Sequence, residues 1–252
     1  MTARQYGWRP DVPDVRDFKL SVAPGDAGYL PPVLSLRDGM PPVWDQGNLG
    51  SCTGQSIAAL VQYGQRKVHP EWDFKPSSLF IYYNERWVEK TIDVDCGAQI
   101  RTGIKVVAKI GACRDDLWPY NITRFTERPS TSAYVNALSH RAVVYQRVPQ
   151  TLNGIKKVIG MGCPFVFGMS VYGSFESDEV AKTGVVPLPS VRDKMLGGHA
   201  VVGVGLDDSD QTILVRNSWG ENWGIGGYFK LPYDYILNDD LVCDLWYISR
   251  MQ

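Results

Sequence analysis

"DQGNLGSCTGQSIAALV", residues 45–61, sets a cysteine after a glycine-broken turn and directly before a run with Ile57, Leu60 and Val61 on one helical face. The stretch continues to Arg66-Lys67, charges that suit a helix C-terminus, so the pattern predicts a helix from Cys52 to about Lys67 that enters the core. A thiol in the first turn of a helix lies where unpaired backbone N–H groups and the helix dipole favour its thiolate. A buried structural thiol fits the same local pattern. The choice between them depends on whether the chain supplies a base.

There are three histidines. His69, in the polar connector "RKVHPEW", and His140, in "LSHRAVV" beside Arg141, lack a glycine-rich approach and are expected at the surface. His199 differs. In "LGGHAVVGVG" it heads an expected core strand after two glycines, where a side chain can project from a sheet edge into a cleft. Downstream, "VRNSWGENWGIGGYFKL" offers Asn217, whose amide oxygen can orient an imidazole, and Trp219, which can cover that hydrogen bond. A satisfied core histidine, and a hairpin with Asn and Gly in its turn and tryptophans in the core, account for the same residues at this level.

Outward from these segments the chain changes texture. "KPSSLFIYYNERWVEK" (75–90) offers Pro76 as a helix starter, then Leu79, Phe80, Tyr83 and Trp87. "IRTGIKVVAKIG" (100–111) offers Ile100, Ile104, Val107 and a glycine stop. After residue 160 the runs "PFVFGMSV" (164–171), "HAVVGVGLDD" (199–208), "QTILVRNS" (211–218), "GYFKL" (227–231) and "LWYIS" (245–249) are β-branched, aromatic and punctuated by turns, as antiparallel strands are. Helices followed by strands predict an α+β fold of two segregated lobes with a ligand cleft between them. Residues 1–29, with Pro10, Pro13 and Pro24 and no apolar period, read as an extended arm.

With 252 residues, 44% of them hydrophobic, the chain can bury a substantial core. Its net charge of −1 and the absence of a basic run argue against nucleic acid or a membrane surface as partner. The N-terminus has no apolar core of signal-peptide length, and no stretch is long and apolar enough to span a bilayer. Five widely spaced cysteines, Cys52, Cys96, Cys113, Cys163 and Cys243, form no CxxC, so neither a zinc knuckle nor a thioredoxin-type pair is expected.

Taken together, "QGNLGSC", "GGHAVVGVG" and "NSWGENWGIGGY" resemble, in order, the three active-site segments of the papain family of cysteine peptidases, from about residue 30 to the C-terminus. His199 and Asn217 lie 147 and 165 positions beyond Cys52, near the separation of about 130–150 residues usual for papain-like enzymes. The resemblance implies a two-lobed fold, with a helical left lobe over about 45–130 and an antiparallel β-sheet or barrel as right lobe over about 131–252. It implies Cys52 as nucleophile, His199 as its base, Asn217 as the orienting amide, and Gln46 with the Cys52 N–H as oxyanion donors. Trp219 would shield the histidine and border the leaving-group side. In "CGAQI" (96–100), Gly97 and Ala98 would hydrogen-bond an extended substrate backbone. "GCPFVFGMSVYGSF" and the segment before His199 would line a second pocket, with the small Gly198 leaving its side open. The implied reaction is acyl transfer on a peptide or protein substrate by a monomer, without metal or organic cofactor. The same triad also suits a thiol acyltransferase or amidase, or a silent peptide-binding protein.

The chain departs from the family pattern in three ways. Thr53 replaces the usual aromatic residue after the nucleophile, which predicts altered cleft packing. Leu49 stands where secreted members have a cysteine bonded to one near Cys96, so that bridge cannot form. Its loss suits a reducing compartment, and Cys163 and Cys243 are expected to be buried thiols. Instead of a long helical prosegment there is the 1–29 extension, as in bacterial papain-like proteins with short extensions. The segment from Tyr6 to Leu20 is expected either to pack on the 30–252 body or to cross the cleft.

Overall fold

The computed structural model describes residues 4–23 and 30–252, apart from the side chain of residue 72. Pro24 and the part of the expected extended arm that follows it, to residue 29, lie outside the described residues, as do residues 1–3.

Helix α1 (Cys52–Val68) is buried through most of its length. It packs on α2 (Ser78–Glu89) and α3 (Ile100–Lys109) and, on its other side, on the sheet. The close crossing of α1 and α2 requires Gly54, where a Cβ would come within 2.6 Å of the Ser78 carbonyl oxygen. α2 begins two residues later than a Pro76 start suggests, because Ser77 is the cap and its hydroxyl accepts from the Phe80 N–H at 3.0 Å. Leu79, Phe80 and Tyr83 are buried as their spacing predicts, but Trp87 is 58% exposed. The buried face of α2 runs instead through Glu85 and Arg86. α4 (Thr131–Ala137) adds Ala133 and Ala137 to the core of Leu79, Phe80, Tyr82 and Trp118.

The second half, joined by one short strand from near the N-terminus, forms one antiparallel sheet. Its strands are β1 (Val33–Ser35), β2 (Ala142–Arg147), β3 (Phe165–Tyr172), β4 (Met195–Asp207), β5 (Thr212–Arg216), β6 (Tyr228–Pro232) and β7 (Val242–Met251). The order is β2-β7-β3-β4-β5-β6, with β1 also on β4. Of the two forms expected for this half, it is an open sheet and not a closed barrel, since β2 and β6 are edges. β1 and β2 carry no alternation strong enough to read in advance; both are short, and neither is buried through most of its length.

One face of the sheet buries Phe165, Phe167, Val201, Ile213 and Phe229 against α5 (Leu152–Gly160). The other buries Val166, Ala200, Val202 and Trp246 against Ile57, Val61, Ile104 and Val107 of α1 and α3. Helices and sheet therefore meet along α1, whose N-terminus carries Cys52. Two short helices, α6 (Asp178–Thr183) and α7 (Tyr233–Ile236), close loops on the sheet side.

All five cysteines are free. Cys113 and Cys163 are buried, whereas Cys243 is only half-buried. Among the described residues no helix is long and apolar enough to cross a membrane, and no cluster of metal-ligating side chains occurs.

Candidate active site

Cys52 is the first residue of α1 and is fully buried. Helix and sheet are pinned together next to it by the Ser56 hydroxyl, which donates to the Ala200 carbonyl at 2.9 Å. Backbone N–H groups of Ala200, Gly7 and Thr53 favour the thiolate, but burial outweighs them and pushes the Cys52 thiol up to about 12.

His199 is also fully buried. It lies on the part of β4 that β5 leaves uncovered, because the β4–β5 ladder ends at the Val202–Arg216 pair. The next residue after Arg216, Asn217, turns out of the ladder. Its Oδ1 lies 2.8 Å from His199 Nε2 and also accepts from the Ser218 N–H at 2.8 Å. The imidazole Nδ1 has no hydrogen-bond partner. Trp219 stacks on the ring, centroids 5.2 Å apart, and covers the contact. Burial lowers the His199 pKa to about 4, partly offset by the Asn217 bond.

Gln46 is joined to the same strand end. Its N–H donates to the Ser218 carbonyl at 2.9 Å, and its Oε1 accepts from the Ser218 hydroxyl at 2.6 Å. Its Nε2 donates to the Leu49 carbonyl at 3.0 Å and to the Gln5 carbonyl at 3.4 Å.

That last contact belongs to the N-terminal arm, which crosses directly above the nucleophile. Arg4 pairs with Asp45 at 2.8 Å and lies over Trp219. Tyr6 meets the His199 ring edge-on and hydrogen-bonds Glu176. The Gly7 carbonyl accepts from the Ala98 N–H at 2.8 Å, Trp8 N–H donates to the Gly198 carbonyl at 2.9 Å, and Arg9 N–H donates to the Ala98 carbonyl at 3.0 Å. Ala98 and Gly198 thus hold the arm's backbone, and Gly97 lies closely against Gly7. No side chain fits at Gly97: its φ is +72°, and a Cβ would meet the Gly7 carbonyl oxygen at 1.9 Å. The Trp8 indole fills the space beside Gly168 and Gly198.

Beyond the cleft the arm is held by buried ion pairs. Arg147 reaches Asp11 at 2.7 Å, Asp17 at 2.8 Å and Asp244 at 3.3 Å, and Arg101 also pairs with Asp17.

The other two histidines divide. His69 lies near the surface beside Glu71. His140 is buried, contrary to the surface position expected from its polar neighbours, because Gln65 of α1 hydrogen-bonds its Nδ1 at 2.8 Å and Phe74 packs on its ring. At the Thr53 position, the hydroxyl donates to the buried Glu85 carboxyl at 2.6 Å, and burial pushes that carboxyl up to about 8. Glu85, Ser218 and Tyr120, whose hydroxyl donates to the Gln46 carbonyl at 2.8 Å, gave no sequence signal of their own.

The model for the papain family cysteine protease matches residues 30–241. The chain is 43% identical over 215 residues to an uncharacterized peptidase C1-like protein of Acanthamoeba polyphaga mimivirus, covering 82% of this chain and 69% of that one. It is 30% identical over 203 residues to a cathepsin B-like protein of Giardia intestinalis, covering 76% of this chain and 64% of that one. Among solved structures, xylellain, a cysteine protease from Xylella fastidiosa, superposes with a TM-score of 0.91 at 39% identity over 100% of this chain and 99% of that one.

Proposed function

The chain belongs to the papain family of cysteine proteases and is a papain-like cysteine peptidase, and on that premise we propose that Cys52, His199, Asn217 and Gln46 carry its chemistry while residues 4–9 hold it latent. The observation that carries the reading is the buried His199–Asn217 bond, which fixes the ring through Nε2 and leaves Nδ1 for the thiol proton.

In the proposed cycle, His199 takes the Cys52 proton and the sulfur attacks a peptide carbonyl carbon. Gln46 Nε2 and the Cys52 N–H receive the developing oxyanion, and His199 returns its proton to the leaving amine. Water deprotonated by His199 then releases the acyl group from sulfur. Gly97, Ala98 and Gly198 bind the substrate backbone, and Trp219 excludes water from the histidine.

Latency rests on both sterics and charge. The arm occupies the backbone donors and acceptors that a substrate would use, and it presents the Gly7 N–H to the sulfur instead of a carbonyl carbon. Gln46 Nε2 is engaged by the Leu49 and Gln5 carbonyls. Under this cover both the Cys52 thiol and the His199 imidazole are held neutral, since burial penalises both ions.

Labelling with a thiol-directed epoxide, followed by peptide mapping, tests the reading on the full chain and on Trp8→Ala. Single labelling at Cys52, faster in Trp8→Ala and lost in His199→Ala, is expected. Labelling indifferent to His199 would sink the assignment, and a labelled protein that cleaves no member of a peptide library would favour the silent binding protein.

A further inference from the structure

The turn that carries the nucleophile and the strip that pairs with an extended backbone belong to different segments, and no disulfide joins them. Leu49 and Cys96 mark the two segments. Immediately beside them, Gly50 and Asp95 are in contact: the Gly50 N–H lies 2.9 Å from Asp95 Oδ2 and 3.2 Å from Oδ1. The same carboxylate accepts from the Tyr82 hydroxyl. The Tyr82 oxygen in turn accepts from the Gly97 N–H at 3.2 Å. Two backbone positions far apart in sequence, Gly50 and Gly97, are thereby tied through one carboxylate and one phenol.

We propose that Asp95 and Tyr82 are positioning residues that set the distance between the nucleophile's turn and the Gly97–Ala98 strip, doing by hydrogen bonds what a covalent bridge would do. The proposal rests on the peptidase reading of the same cleft. Neither residue touches the reacting atoms, so both act through Gly50 and Gly97.

The anchor is rigid. Tyr82 is fully buried on α2, and its Cβ and backbone lie against Gly54 of α1, so the phenol is fixed relative to the helix that begins at Cys52. Gly97 sits at φ +72°, a conformation its single N–H contact to Tyr82 helps retain. Burial and the neighbouring Asp95 both raise the Tyr82 pKa, so the phenol keeps its proton and stays a donor to the carboxylate. Gly50 follows directly on the run from Gln46 that aims the proposed oxyanion donors, so its bond to Asp95 bears on the transition state. The Gly97 bond bears on backbone binding.

The two contacts therefore have separable kinetic signatures, read in a full-length Trp8→Ala background. Tyr82→Phe removes one oxygen and keeps the packing. It is expected to raise KM for a peptide substrate by about tenfold with kcat nearly unchanged. The rate at which iodoacetamide alkylates Cys52, which needs no backbone strip, should not move. Asp95→Ala also frees Gly50, so it should raise KM alike and lower kcat in addition. The double variant should match Asp95→Ala, because one relay is lost only once.

Equal losses in turnover and in Cys52 alkylation by Tyr82→Phe would reduce the pair to a merely structural role and overturn the proposal, as would unchanged KM. If the background cleaves no peptide although Cys52 alkylates, the peptidase reading fails and the clamp is judged by amide exchange at Gly97. Faster exchange there in Tyr82→Phe then supports it, and unchanged exchange overturns it.

Discussion

The Trp8 indole lies so close over Gly168 that a Cβ at that strand position would come within 1.9 Å of its Cε2. Trp8 and Gly168 are separated by 160 positions in the chain, and the absence of a side chain on one is what admits the other.

Gly168→Ala should therefore displace the arm without altering it, because the added methyl meets the ring while the backbone of β3 remains extended. Trp8→Ala should do the same by removing about 3–5 kcal/mol of packing. Both variants are expected to raise the rate of Cys52 alkylation by iodoacetamide by about a hundredfold or more, as the closed population falls. An unchanged rate in both would mean that the indole does not govern access.

Asn217→Ala leaves the buried His199 Nε2 without its partner, a loss of about 1–3 kcal/mol. In a Trp8→Ala background, kcat/KM is expected to fall by about 10–100-fold. Retained kcat/KM would remove Asn217 from the machinery.

Acid should loosen the arm through His199. Burial and the charge of Arg4 hold its pKa at about 4, below the ordinary 6.5, and moving the arm away relieves part of both, so the covered state holds the neutral ring. The stability this contributes to closure is present above pH 6.5 and is lost as pH falls from 6.5 through 4. Asp11 acts oppositely: burial and the repulsion of Asp244 raise it from 3.8 to about 6, so its protonation favours the docked arm. Because the two contributions oppose each other over nearly the same range, exchange of the Trp8 amide, corrected for intrinsic pH dependence, should change little in the parent and accelerate between pH 6.5 and 4 in Asp11→Asn. With His199→Ala added to Asp11→Asn that acceleration should vanish, and its persistence would exclude the histidine as the source.

Glu85 makes the opposite contribution to the fold as a whole. Its carboxyl, at about 8 when buried against 4.5 when free, is stabilising as the acid and increasingly costly as pH rises from 4.5 to 8. Glu85→Gln should gain in urea stability relative to the parent between pH 5 and pH 8. An equal difference at the two pH values would show that the buried carboxyl does not titrate with folding.

The α1 helix, the later strands and the segments around Cys52, His199 and Asn217 were legible because each is encoded locally, by helical spacing, β-branched runs or glycine-flanked polar residues. What escaped depends on distant partners. His140 has polar neighbours in sequence, yet it is buried by Gln65 and Phe74. Trp87 follows the helical period but points outward because the last turn of α2 buries Glu85 and Arg86 instead. The route of residues 4–9 has no local signal at all. It is written in Gly97, Gly168 and Gly198, whose missing side chains leave room for the arm.

Because the arm is part of the same chain, its return to the cleft is a first-order event that dilution does not slow. Any ligand for the cleft competes with it at a fixed effective concentration. The affinity measured for a cleft-directed inhibitor on the full chain is therefore the affinity for the open cleft scaled by the fraction of molecules that are open. Two compounds that bind the open cleft would keep their rank on the full chain while both are weakened by the same factor. That common factor, obtained by comparing the parent with Gly168→Ala, measures the closing equilibrium without any substrate being turned over.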